Sequence, residues 1–139
     1  MRYVPLLLFP FILYNAFAFL IFADYQADFR EADLIGVTMP SGAPFVLTVS
    51  TSIILLALAL LAVEVVKAAR IGAGSIVDHV LATGLFVAAL LEFLLVREAA
   101  TGTFLVLTVI ALLDLICGFA VSIRTAVRDI SLDGPTIEA

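Results

Sequence analysis

The chain has few of the residues on which soluble proteins and many enzymes depend. Only 14% of its 139 residues are charged, and it contains one cysteine and one histidine. The lone Cys117 excludes a disulfide within the chain. The lone His79 excludes a haem held by two histidines of one chain, although ligands shared between protomers stay open. Seven Lys and Arg against twelve Asp and Glu leave no basic stripe that could grip phosphates, so we expect no nucleic-acid partner.

Apolar residues make up 64% of the chain, which is more apolar surface than one small soluble core can hide. A helix needs roughly 20 apolar residues to cross a hydrocarbon layer of about 30 Å. Four windows meet this requirement, at residues 3–23, 45–66, 76–96 and 103–123. The sequence therefore predicts an all-α integral membrane protein, a four-transmembrane-helix bundle that forms a single domain over residues 1–139.

The stretches between these windows are short, apart from an acidic loop at residues 24–44 and a polar tail at residues 124–139. Within the loop, Asp24, Asp28 and Glu31 recur at helical spacing opposite Tyr25 and Phe29. This spacing is typical of a short helix lying on the membrane surface. The segment 40–44, which holds two prolines and a glycine, predicts a turn that leads into the second span.

The distribution of cations predicts the orientation of the bundle. In the four-span arrangement, five of the seven cations fall on the side of the two termini and two, Arg30 and Arg97, fall on the other. By the positive-inside rule both termini are cytoplasmic, so the loop 24–44 faces outward. Because the chain is short and rich in alanine and leucine, we expect it in a bacterial inner membrane.

Asp114 is the main functional candidate. It lies in the apolar window 103–123 with no Lys, Arg or His within a helical turn. A carboxyl group at membrane depth must be protonated, paired or facing water inside a bundle, which makes it a functional-site hypothesis by default. At about 1.5 Å per residue, Asp114 lies roughly 13 Å from the cytoplasmic end of its span. On the same count Tyr14, Asn15 and Thr83 can reach a midplane cluster with Asp114, whereas Glu92 and Thr108 fall in a second polar layer nearer the outer face.

Each of these acids also has a purely structural interpretation. A neutral Asp114 can clasp helices together by hydrogen bonds, and Glu92 can extend toward the headgroups or Arg97. Glu64 precedes Lys67 by three residues, which favours an interfacial ion pair, and Asp78 is suited to capping the third span. His79, Asp78 and Glu64 are weak candidates for a metal site because their spacing matches no defined motif, so we expect neither a metal nor a cofactor.

Small residues at a spacing of four predict where helices approach closely. Gly84 and Ala88 form one such pair in the third span, and Gly118 and Ser122 form another in the fourth. Close backbone approach stabilises helix association in lipid, so we expect the third and fourth spans to pack as a hairpin. Some of these faces can instead contact a partner protein.

These features favour two classes of function over a third. An enzyme is not expected, because the chain lacks a paired nucleophile and base and a nucleotide-binding loop. The first class is a non-catalytic accessory or assembly subunit that stabilises a membrane complex. The alternative is a small oligomeric transporter or channel in which Asp114, and with it Glu92, binds a proton or cation. Beyond the lipid bilayer, the expected partner is a membrane protein or further copies of the chain.

Overall fold

The computed structural model describes residues 5–21, 29–71 and 76–132 and is mostly helical. Its helices are α1 (Leu8–Asn15), continued by a π-helical segment (Ala16–Ile21), then α2 (Val49–Ile71), α3 (Ile76–Leu95) and α4 (Gly102–Leu132). Two short 3-10 turns, Phe29–Glu31 and Arg97–Ala99, and two strands, β1 (Asp33–Thr38) and β2 (Pro44–Thr48), complete the described elements.

Three of the described helical segments are long and apolar enough to cross a membrane: Val49–Ala68, Val77–Leu95 and Gly102–Arg124. The first apolar helix, Leu8–Leu20, is shorter than these. A helical membrane protein, predicted from the apolar windows, is therefore confirmed. α4 also continues as helix to Leu132, nine residues past the predicted end of the fourth span.

The outer loop differs from the prediction. Residues 29–31 form a single 3-10 turn, and the rest of the predicted surface helix, residues 24–28, lies outside the described residues. The loop then folds into an antiparallel β-hairpin, in which Val37 pairs with Phe45 and Ile35 with Leu47. Its turn is closed by two hydrogen bonds, from Met39 N–H to Ala43 O and from Gly42 N–H to Met39 O, with Gly42 at a φ of 82° that favours glycine.

Because of the hairpin, the second helix begins four residues later than the sequence predicted. Phe45 to Thr48, predicted as helical because they are apolar, belong instead to β2. α2 begins at Val49 because Thr48 caps it: Thr51 N–H donates to Thr48 Oγ1 at 3.3 Å. Ser52 Oγ also donates to the carbonyl oxygen of Thr48 at 2.9 Å. β2 therefore joins α2 without a connecting loop.

The core lies where α1, α2 and α4 meet, and α4 contacts all three other helices. Its largest fully buried side chains are Tyr14, Phe104, Leu7 and Leu107. The Phe104 ring meets Tyr14 edge-on at 5.0 Å between ring centroids and Phe11 at 5.5 Å. Such edge-to-face pairs add to the stabilisation from burial alone. Among the residues of α3 whose burial is described, only Ala89 belongs to the buried residues of this core.

Tyr14 also ties α1 to the connection between α3 and α4. Its hydroxyl donates to the Glu98 carbonyl oxygen at 3.1 Å and shares a hydrogen bond with Thr101 Oγ1 at 2.8 Å. Thr101 Oγ1 in turn accepts from Phe104 N–H in the first turn of α4. One buried phenol therefore fixes the position of the first helix against the last.

Replacing Tyr14 by Phe tests this tie. We expect Tyr14→Phe to lower the free energy of unfolding by about 0.5–1.5 kcal/mol, because it removes the donor to the Glu98 carbonyl and retains the ring. The measurement is reversible unfolding in mixed detergent micelles. Phe9→Leu, at an exposed position of α1, is the control. Equal stability of Tyr14→Phe and the unmodified protein would contradict the role given to the hydroxyl.

Candidate functional site

The structure brings Asp114 of α4 next to Glu64 of α2. The two half-buried side chains interact both electrostatically and as hydrogen-bonding groups. Both residues lie inside the segments that can cross a membrane. Asp114 is therefore paired with a second acid rather than with a cation, and this pair of acids is the central feature of the site.

The two oxygens of Glu64 have different surroundings. Oε1 accepts a hydrogen bond from Leu6 N–H at 2.6 Å, a backbone donor in the turn that precedes α1. Oε2 is buried and has no hydrogen-bond partner. Lys67, one turn further along α2, interacts with the Glu64 carboxylate electrostatically. Buried polar atoms are nearly always hydrogen-bonded, so a buried oxygen without a partner, on a side chain beside a second carboxyl group, calls for an explanation.

His79 of α3 completes the site on a third helix. Its Nε2 lies 2.5 Å from Ser122 Oγ, and its ring stacks on Phe119 with 5.0 Å between centroids and 15° between planes. The imidazole is also within electrostatic range of the Asp114 carboxyl group. Glu64, Asp114 and His79, which we call the carboxyl–imidazole cluster, thus bring α2, α4 and α3 together.

The imidazole fits against α4 because Gly118 has no side chain. A Cβ at this position would lie 3.3 Å from both Cε1 and Nδ1 of His79, which is tighter than ordinary van der Waals contact. Phe119 and Ser122 lie one and four residues further along α4, where they contact the ring face and Nε2. Gly118 and Ser122, predicted as a packing pair, therefore form the surface of α4 on which the histidine lies.

The other predicted packing pair has a different environment. Gly84 and Ala88 are exposed on α3, and a Cβ built on Gly84 meets nothing within 4 Å. Neither residue packs α3 against α4. Their face of α3 is open to lipid or to another helix.

The residues predicted for a midplane cluster have partners other than Asp114 in the structure. Asn15, the last residue of α1, interacts with Glu92 of α3 through its side chain, and its Oδ1 is buried without a hydrogen-bond partner. Tyr14 is held at the α3–α4 connection. Thr83 Oγ1 donates to the carbonyl oxygen of His79, and Thr108 Oγ1 donates to that of Phe104, so each bonds its own helix.

The chemistry open to the carboxyl–imidazole cluster is proton transfer. A carboxyl group and an imidazole can each gain and lose a proton, and both serve as proton donors and acceptors in proteins. Within the described ranges, no three side chains of His, Cys, Asp or Glu are grouped closely enough to hold a metal ion. Asp78, a weak metal candidate by sequence, is exposed on the first turn of α3.

Sequence reasoning did not pair Glu64 with Asp114, although both were singled out. Counted from the predicted ends of their spans, Glu64 lies near the interface and Asp114 near the midplane. Counted from the observed helix starts, Val49 and Gly102, the two acids are 15 and 12 residues in, so they differ by only about one turn. The similar depth of the two acids could have been read from the sequence, but only with the start of α2 known.

Comparisons of this chain with protein-family models, with curated proteins and with solved structures find no match.

The close approach of His79 to α4 leads to a prediction for two glycines. We expect Gly118→Ala to be less stable than Gly84→Ala by about 1–2 kcal/mol, because only the first adds a methyl group against the imidazole. Both substitutions gain the same helix propensity, so their difference isolates the contact. Unfolding in mixed micelles gives the free energies. Equal effects of the two substitutions would show that the ring does not lie on Gly118.

Proposed function

We propose that this chain is a small, non-catalytic integral membrane protein that binds and releases a proton at Glu64 and Asp114 as part of proton-coupled transport. The observation that carries the proposal is the contact between these two carboxyl groups inside membrane-crossing segments. Ionisable groups at this depth commonly mark proton or ion pathways. A shared proton needs no cavity of its own, which makes it the ligand best suited to two carboxyl groups in contact.

The orphan oxygen of Glu64 supports a shared proton. Two adjacent carboxylates in apolar surroundings repel each other and are both poorly solvated, so such a pair retains a proton. That proton supplies a donor between the two carboxyl groups, and the buried Oε2 of Glu64 is an acceptor without another partner. The remaining negative charge is stabilised by Leu6 N–H and by Lys67. The proton belongs to the pair, so the two acids titrate together.

His79 provides the route by which the proton enters or leaves. It lies in the first turn of α3, and its contacts connect Ser122 Oγ on one side with the neighbourhood of Asp114 on the other. A neutral imidazole has one donor and one acceptor nitrogen, so it can accept a proton at one nitrogen and release one from the other. We therefore place His79 between the carboxyl pair and the membrane face at the Lys67 end of α2.

For this transport function we also retain the number of crossings, the orientation and the location that the sequence predicts. The chain crosses the membrane four times, with Leu8–Leu20 as the first and shortest crossing, and both termini are cytoplasmic by the positive-inside rule. A bacterial inner membrane is the proposed location. Glu92 and Asn15, nearer the opposite face, form a second polar pair through which the proton can continue.

A second candidate function is an accessory or assembly subunit of a larger membrane complex, and the open side of α3 favours it. Gly84 and Ala88 form a small pair on this side, flanked by the exposed side chains of Leu81, Val87 and Leu91. Small residues at this spacing allow another helix to approach closely in lipid. The same surface suits a second copy of the chain, which transport by a four-span protein requires if its pathway forms between protomers.

Flux measurements in liposomes test the proton pathway. We expect the purified protein to dissipate an imposed pH gradient, and we expect Asp114→Asn and Glu64→Gln each to reduce the rate to that of protein-free vesicles, because an amide cannot release a proton. Glu98→Gln removes an exposed acid outside the cluster and should leave the rate unchanged. The readout is a pH-sensitive dye trapped inside the vesicles.

Two results would overturn the carrier mechanism: no flux in the unmodified protein, or the same flux in the two amide variants. In that case, purification from native membranes in mild detergent tests the subunit hypothesis. A larger membrane protein recovered in fixed stoichiometry would support it, and its loss with Gly84→Leu would assign the contact to the open face of α3.

A further inference from the structure

The β-hairpin of residues 33–48 is firmly attached to the second helix. β2 ends at Thr48 and α2 begins at Val49, so no flexible segment separates them. Val49 N–H donates to the Ala32 carbonyl oxygen at 3.0 Å, which holds the start of β1 against the same helix end. The segment of α2 that is long and apolar enough to cross a membrane also begins at Val49, so the base of the hairpin adjoins this segment directly.

One face of this hairpin is entirely apolar. Side chains alternate between the two faces of a strand, so the cross-strand pairs Val37–Phe45 and Ile35–Leu47 lie on the same side. Ile35, Val37 and Phe45 keep 55%, 51% and 46% of their surface exposed. The neighbouring pairs, Gly36–Val46 and Thr38–Pro44, lie on the opposite face. A row of large side chains at this exposure is unusual for a surface in water.

The absence of charge along this part of the chain is typical of a segment in contact with a membrane and not of one exposed to water. No charged residue occurs between Asp33, at the start of β1, and Glu64, well inside α2. Apart from Asp33, the hairpin and the first four turns of the helix are therefore one uncharged stretch. The apolar exterior of the membrane-crossing segment continues directly into the hairpin.

We infer that the hairpin lies in the headgroup region of the leaflet at the Val49 end of α2, with the Ile35, Val37, Phe45 and Leu47 face toward the acyl chains. The unpaired backbone groups on the two outer strand edges exclude full insertion into hydrocarbon, where nothing could satisfy them. At headgroup depth, water and lipid polar groups satisfy these edges while the apolar face is buried by about 5–10 Å, as for other interfacial elements. The occupant of this surface is lipid.

The chain contains no tryptophan, so a single introduced tryptophan reports on its own site without background. Phe45→Trp is a conservative change at an exposed position and places the reporter on the apolar face. Val37→Trp, on the adjacent strand and the same face, is a second reporter if the first variant folds poorly. Thr38→Trp, on the opposite face of the same hairpin, is the matched control. Leu58→Trp, exposed near the middle of α2, marks a deep lipid position.

The experiment uses the full-length protein in phosphatidylcholine vesicles that carry bromine at defined depths along the acyl chain. For Phe45→Trp we expect blue-shifted emission, with the strongest quenching by bromine near the headgroup and weak quenching by aqueous acrylamide. Leu58→Trp should be quenched most by deep bromine. Thr38→Trp should be more accessible to acrylamide and less sensitive to bromine than Phe45→Trp.

Two outcomes would overturn the inference. Red-shifted emission of both apolar-face reporters, with strong acrylamide quenching, would place the hairpin in water. Blue-shifted emission without bromine quenching, especially if it changes with the ratio of protein to lipid, would show that a second copy of the chain covers this face. Neither outcome depends on whether the protein moves protons.

Discussion

The contact between the Glu64 and Asp114 carboxyl groups is the constraint on which the arrangement of the helices depends. Two acids inside apolar helices are tolerated only if they have compensating partners, and these come from the turn before α1, from α3 and from α2 itself. Leu6 N–H brings in the start of α1, Lys67 belongs to α2, and His79 approaches from α3. The contacts of the two acids and the packing of the helices therefore depend on each other, because displacing any one helix removes a partner from the acids.

The aromatic core and the carboxyl–imidazole cluster divide the bundle into two parts with different roles. Near the α3–α4 connection, Tyr14 and Phe104 are fully buried and hold α1 against α4. Toward the other end, the helices are held by polar contacts through half-buried side chains. α3 depends on these contacts more than α2 does, because Ala89 is its one buried core residue in the part of the helix, residues 77–95, whose burial is described. A change in protonation at the cluster thus acts on the least tightly packed helix.

The helices could be predicted from the sequence, since an apolar run of about 20 residues has few alternatives to a membrane helix. The hairpin could not be separated from the second span, because Phe45 to Thr48 are as apolar as the helix that follows and only the Thr48 cap marks the boundary. The pairing of Glu64 with Asp114 was missed because depth was counted from the predicted cytoplasmic ends of the spans, whereas a count from the observed starts, Val49 and Gly102, places the two acids within about one turn. The spacing of Gly118 and Ser122 predicted a packing face on α4, but nothing in the sequence showed that His79 is the side chain that lies on it.

We propose that the carboxyl pair holds a proton in the folded protein at neutral pH. Infrared spectroscopy measures this directly, because a protonated carboxyl group has a carbonyl stretching band that an ionised carboxylate lacks. We expect the unmodified protein in lipid to show such a band at neutral pH, and we expect the double variant Glu64→Gln/Asp114→Asn to lose it. If the two proteins have identical spectra in the region of this carbonyl band, the carboxyl pair does not hold a proton at neutral pH.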